Sequence, residues 1–239
     1  MHSNPELELT YKIANVPVSY FPFPHFYIRD IFPADFYRDL IANLPDHSAM
    51  LPIGEVRPVK GYKERFVLQM SPQYLAALPE AKRKFWEECA QWMMTGKLTN
   101  YLLNKFSAHI NERFKNVQSP IFYNECMLIE DITNYSIGPH SDSPKKVISV
   151  LFYLPKDDSQ ANLGTSIYVP KEASFTCPGG PHYGFENFSK VHTMPFLPNS
   201  VFVFLKTANS FHGVEPVTTP DRSRWVFLFD IYVKQPPVS

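Results

Sequence analysis

The feature that most constrains this chain is a change of hydrophobic period at Ser119-Pro120. Beyond it, IFYNECMLIE, KKVISVLFYLP, LGTSIYVP, SVFVFL and RWVFLFDIYV are β-branched or aromatic runs separated by turn-forming residues, the pattern of strands. Before it, apolar residues recur at helical spacing. Phe85, Cys89 and Trp92 share one face, and Leu98, Leu102, Phe106 and Ile110 share another, which predicts two helices interrupted near Gly96. Pro33 opens a further short helix over PADFYRDLIANL. Residues 11–31 alternate apolar residues with prolines and read as an extended entry segment, while 45–71 read as loop with a strand at RFVLQM. Helices first and strands after predict an α+β fold, an antiparallel sheet with helices on one side. No repeat or linker divides the chain. It is expected to be one domain, with 1–118 as helical and extended support and 119–239 as the core.

The composition excludes several classes. Equal numbers of Lys+Arg and Asp+Glu, 23 each, give no bulk attraction to nucleic acid or to an anionic membrane. No apolar run is long enough for a membrane span, and MHSNPELELTYK lacks the pattern of a signal peptide. Cys89, Cys126 and Cys177 are odd in number and far apart, which points to a reducing, cytoplasmic setting and not to a disulfide framework.

The chemistry is concentrated in GPHSDSPKKVISVLFYLP, residues 138–155. His140 and Asp142 are two apart, so on a strand they face the same side. An imidazole and a carboxylate there make two-thirds of a 2-His-1-carboxylate set for Fe(II), which leaves other coordination positions open. His212, 70 residues after Asp142 in NSFHGVEPV, is the candidate third ligand. Each histidine alone is also compatible with a hydrogen-bonded turn residue. After it come Arg222 and Arg224, at the start of the last strand, and Tyr153 shares strand parity with Ser149 and Leu151. A buried guanidinium needs an anionic partner, and no acidic side chain in the sequence is evidently placed to serve. A dicarboxylate cosubstrate gripped by the arginine's fork would supply one.

Taken together, HSD followed by VISVLFYLP, then PNSVFVF, then HGVEPV and a strand-opening arginine, resemble the Fe(II)/2-oxoglutarate-dependent dioxygenases, most closely the prolyl-hydroxylase-like branch. The resemblance covers roughly residues 122–233. It implies a double-stranded β-helix (jelly-roll) core, with Fe(II), 2-oxoglutarate and O2 as metal, cosubstrate and oxidant. It implies His140, Asp142 and His212 as metal ligands and catalytic centre, and Tyr153 as a contact to the cosubstrate's distal carboxylate. Arg224 or Arg222 would be the cationic anchor: Arg222 has the commoner spacing from His212, Arg224 directly precedes the apolar run. Because Asp142 occupies the position left vacant in related halogenases, the resemblance favours hydroxylation of an unactivated C–H bond, or a variant such as desaturation. The substrate class is a small molecule or a peptide. A cupin-like metal enzyme without 2-oxoglutarate, and a noncatalytic jelly-roll binding module, are the competing readings. His182 and His192 fall in the long block 171–192, read as either a lid over the site or a surface decoration.

Overall fold

The computed structural model describes residues 4–57, 61–218 and 223–234. The N-terminal half contains α1 (Pro5–Asn15), β1 (His25–Arg29), α2 (Ala34–Ala42), β2 (Leu51–Pro52), α3 (Ile53–Val56), β3 (Arg65–Gln69), α4 (Pro72–Leu75), α5 (Glu80–Met93), α6 (Gly96–Lys105) and α7 (Ser107–Arg113). Then follow β4 (Phe122–Asp131), β5 (Ile137–His140), β6 (Lys146–Tyr153), β7 (Thr165–Pro170), β8 (Phe188–Met194), β9 (Ser200–Leu205), β10 (His212–Val214) and β11 (Arg224–Val233).

Two local expectations are corrected. The entry segment is not extended from residue 11, because α1 runs to Asn15. Asn4 caps it by accepting from Leu7 N–H, Pro5 stands in the first turn, and Glu6 and Glu8 complement the N-terminal dipole. The region 80–113 holds three helices, not two. A second break falls at Phe106, whose backbone leaves helical geometry while its side chain stays buried.

The strands form two sheets. One has seven strands in the order β1-β9-β6-β11-β4-β3-β2, the other four in the order β5-β10-β7-β8. Every strand pairing among the described residues is antiparallel. Three strands of the large sheet, β1, β2 and β3, come from the first 118 residues. Side-chain alternation explains the layering. On β9, Val201, Val203 and Leu205 pack under the helices, whereas Phe202 and Phe204 face the small sheet. On β4, Cys126 and Leu128 go to the helices, and Met127 and Ile129 go to the interior between the sheets. Helices α1, α2 and α4 to α7 therefore cover one face, whereas Ile53 and Val56 of the short α3 pack with the interior cluster. Trp86 of α5 is fully buried there and donates to Asn43 O at 2.8 Å. Truncating a buried side chain in this layer, such as Leu102, costs about 2–5 kcal/mol.

The block 171–192 covers an edge. In the small sheet β5 is outermost, and an uncovered edge invites pairing with another chain. Tyr183 N–H donates to Pro139 O at 3.0 Å, and His182 forms a single antiparallel bridge with His140. The approach is so close that a Cβ at Gly138 would lie 2.2 Å from Tyr183 O, so only glycine fits. This cover brings His182 to the rim of the site.

Candidate metal centre

The register of the small sheet makes His140 and His212 direct cross-strand partners, with ring centroids 4.3 Å apart. Asp142 arrives differently. It lies two residues past the end of β5, in the loop to β6, so its convergence with His140 comes from the loop and not from strand alternation. Ligand atoms of His140, Asp142 and His212 all lie within 4.8 Å of one another, and no other such group occurs among the described residues. His140 Nε2 is 3.9 Å from Asp142 Oδ1, and His212 Nε2 is 3.8 Å from Asp142 Oδ2.

The second ring nitrogens fix the tautomers. His140 Nδ1 is 2.9 Å from Gly138 O, and His212 Nδ1 is 2.9 Å from Ser210 O. A carbonyl only accepts, so both Nδ1 atoms carry the proton, and both Nε2 atoms present lone pairs toward Asp142. Burial, reinforced by the neighbouring imidazole, holds His140 well below the ordinary histidine range; burial likewise lowers His212. Both rings are therefore neutral near pH 7. Burial opposes the charge on Asp142, but the Lys146 ammonium and the two imidazoles outweigh it and hold the carboxyl well below the carboxylate range.

Asp142 is itself held in place. Ser149 Oγ donates to its Oδ2 at 3.0 Å, and Lys146 Nζ lies 3.2 Å from its Oδ1. Lys146 also reaches Asp230 Oδ2 at 3.0 Å, so one ammonium bridges two carboxylates in the interior. Neither Lys146 nor Asp230 was singled out from the sequence. An acid in the middle of RWVFLFDIYV was the available signal, because a carboxylate in a buried strand demands a cation.

Behind His140, Asp142 and His212 lies a cavity of about 90 Å³ whose wall includes Arg224, Arg65, Tyr135 and Ser149. Arg224 is 1% exposed, and contrary to the sequence expectation it has an acidic partner. Its Nη1 donates to Asp131 Oδ2 at 2.8 Å, and its Nε donates to Leu163 O at 2.6 Å. Asp131 also accepts from Arg65 Nε at 2.6 Å and Arg65 Nη2 at 2.9 Å. The register accounts for this trio, since Asp131 on β4 stands opposite Arg224 on β11 and opposite Arg65 on β3. Two guanidinium groups thus share one carboxylate. Tyr153 shares the interior face, as its parity with Ser149 suggested, and its ring lies beside the Arg224 guanidinium. Its hydroxyl accepts from Thr165 N–H at 3.1 Å, and it is not among the residues that line the cavity. Arg222 lies outside the described residues.

A second, wider cavity of about 320 Å³ shares His140, Asp142, Lys146 and Arg65 with the first and opens toward Tyr62, His182 and Arg57. Tyr62 and His182 hydrogen-bond across its mouth. His192 is exposed on β8, and Asn209 accepts from Thr207 Oγ1 within its own turn. His25 and His47 bond to Phe23 O and Glu130, away from the centre. Cys89, Cys126 and Cys177 are buried and free.

No protein-family model matches the sequence, and no curated protein matches it significantly. The fold does match solved structures. A prolyl-4-hydroxylase from Pseudomonas putida superposes with a TM-score of 0.52 at 15% identity, over 95% of this chain and 100% of that one. A prolyl hydroxylase from Trichoplax adhaerens, solved with a hypoxia inducible factor oxygen degradation domain peptide fragment, gives 0.50 at 12% identity, over 95% and 88%. The epimerase SnoN, solved with Fe3+, alpha ketoglutarate and nogalamycin RO, gives 0.50 at 12% identity, over 93% and 83%. These structural neighbours are prolyl hydroxylases and other 2-oxoglutarate–Fe(II) oxygenases, the superfamily and branch the sequence resembles. At such identities the likeness carries the fold alone. Among the described residues, no helix is long and apolar enough to cross a membrane.

Proposed function

We propose that this chain is an Fe(II)- and 2-oxoglutarate-dependent oxygenase on a double-stranded β-helix core, hydroxylating an unactivated C–H bond of a small molecule or peptide with release of succinate and CO2. One observation carries the reading: a preset His-Asp-His donor set shares a cavity with two guanidinium groups, Arg224 and Arg65, that meet a single carboxylate. Two neutral imidazoles and one carboxylate on one side of a common point suit Fe(II), whose other positions stay open. When bound, the metal with 2-oxoglutarate supplies the oxidative chemistry; the protein supplies binding and orientation.

Each residue then has a defined task. The Gly138 and Ser210 carbonyls keep the His140 and His212 Nε2 lone pairs directed at the metal position. Lys146 and Ser149 hold the Asp142 carboxylate at both oxygens. Arg224 and Arg65 offer positive charge at the far end of the inner cavity, where a dicarboxylate's second carboxylate is bound. The outer cavity receives the substrate, and Tyr62 and His182 close over it to exclude water. The neighbours solved with a peptide and with nogalamycin RO indicate that this fold serves both substrate sizes.

A second reading has one observation in its favour. Arg224 is paired internally with Asp131, which suits a metal enzyme that uses the same triad without 2-oxoglutarate. The experiment that tests the main reading is succinate release from 2-oxoglutarate by purified protein with Fe(II) and O2, across candidate substrates. The expected result is turnover above a His140→Ala control; turnover equal to that control refutes it.

A further inference from the structure

The inner cavity contains a polar group that the reading above does not use. Tyr135, just before β5, is fully buried and lines the cavity, and its hydroxyl has no hydrogen-bond partner among the described residues. An orphaned buried hydroxyl costs free energy, so its persistence calls for an explanation. Burial raises the phenol's pKa, so it is a protonated donor at neutral pH. The Arg65 guanidinium lies 4.2 Å from the centre of the Tyr135 ring. Arg65 is 17% exposed and faces both cavities. The charges are divided unevenly along the cavity: beside Tyr135 two guanidinium groups, Arg65 and Arg224, meet one carboxylate, Asp131, whereas at the His-Asp-His end one ammonium, Lys146, meets two, Asp142 and Asp230. Two guanidinium groups on one carboxylate, next to a hydroxyl donor without an acceptor among the described residues, describe a seat for a further carboxylate. Tyr153 fits that seat less well. Its hydroxyl already has a backbone partner in Thr165, and its ring is off the cavity wall.

We propose that Tyr135 and Arg65, together with Arg224, seat the distal carboxylate of the dicarboxylic cosubstrate, with the Tyr135 hydroxyl in the hydrogen-bonding role the resemblance gives to Tyr153. This rests on the 2-oxoglutarate reading. It places a selectivity-determining residue, Arg65, on β3, in the half of the chain that the strand motifs do not reach. It also predicts that the seat distinguishes 2-oxo dicarboxylates from 2-oxo monocarboxylates.

The test is anaerobic titration of Co(II)-loaded protein with 2-oxoglutarate and, separately, with 2-oxovalerate, which lacks the distal carboxylate, while the thermal midpoint of the metal-free protein is also measured. Tyr135→Phe is expected to weaken 2-oxoglutarate roughly tenfold or more, the size of one lost hydrogen bond to a charged group. It should leave 2-oxovalerate binding unchanged and leave the metal-free midpoint unchanged or raised, because that hydroxyl bonds to none of the described protein groups. Arg65→Met should weaken 2-oxoglutarate further, whereas Tyr153→Phe should lose less than Tyr135→Phe. Equal 2-oxoglutarate affinity in wild type and Tyr135→Phe overturns this assignment and leaves the oxygenase reading standing. A wild-type protein that binds metal but not 2-oxoglutarate overturns both.

Discussion

Replacing Asp131 by Asn is the sharpest perturbation of the charge arrangement behind the metal centre. Asp131 is fully buried and accepts three charge-assisted hydrogen bonds, two from Arg65 and one from Arg224. An asparagine keeps one acceptor oxygen but turns an amide N–H₂ toward guanidinium donors, and it leaves two buried cations with no carboxylate. Removing one partner of a buried pair costs about 3–5 kcal/mol. For a chain of this length each kcal/mol lowers the thermal midpoint by about 2–4 °C, so Asp131→Asn is expected to lower it by roughly 6–20 °C. Arg224→Met should cost less, because Asp131 keeps its two bonds to Arg65 and that pair is neutral. In the double variant Asp131→Asn/Arg224→Met one uncompensated charge disappears, so the combined loss should fall short of the sum by about 1–3 kcal/mol. Differential scanning calorimetry of the four proteins measures this cycle. A loss below about 1 kcal/mol for Asp131→Asn, or strict additivity, would refute the idea that one carboxylate holds two guanidinium groups.

The sequence made the His-Asp-His group legible and left its support hidden. His140, Asp142 and His212 stood out because metal-binding side chains bordered apolar runs, and their convergence follows from one cross-strand pair and one short loop. Five strands after residue 119, β4, β6, β7, β9 and β11, were equally legible, since period-two patterning against a two-faced interior leaves little freedom; β5 and β10 are too short to show a period, and β8 begins inside the block 171–192 read as a loop. The trio of Arg65, Asp131 and Arg224 was not, because it depends on the register of three strands from distant parts of the chain. Arg224 reads from the sequence as a buried cation without a partner, and Arg65 and Asp131 read alone as charges at the ends of strands. A rule was nevertheless available: antiparallel pairing aligns the opening of one strand with the close of its neighbour, so RFVLQM and RWVFLFDIYV both set an arginine against the aspartate that ends FYNECMLIED. α1 was missed because the prolines after it outweighed the capping signal before it.

Further outcomes follow from the same geometry. Lys146→Met leaves Asp142 and Asp230 without their shared ammonium, so the metal-free protein should lose about 3–5 kcal/mol. Because bound Mn(II) would then offset the exposed repulsion, its stabilising thermal shift should exceed the wild-type shift; a smaller one contradicts the role given to Lys146. The lowered pKa values of His140 and His212 set a pH dependence. Below the unfolded value of about 6.5 the unfolded chain takes up protons that the folded protein refuses, so metal-free stability falls with falling pH by up to about 1.4 kcal/mol per pH unit for each imidazole. Asp142, with its carboxyl held low, contributes stability above about pH 3.9 that is lost as pH falls through its folded value. Mn(II) affinity, measured by calorimetry, should accordingly hold below pH 6.5; a midpoint at or above that value would show that the imidazoles are not held neutral by burial.

The most direct measurement is anomalous diffraction at the iron edge from crystals grown anaerobically with Fe(II). The account predicts a single strong peak between β5, β10 and the loop after β5, about 2.0–2.3 Å from His140 Nε2, His212 Nε2 and an Asp142 oxygen. A peak elsewhere, or none at this point with iron in excess, would contradict it.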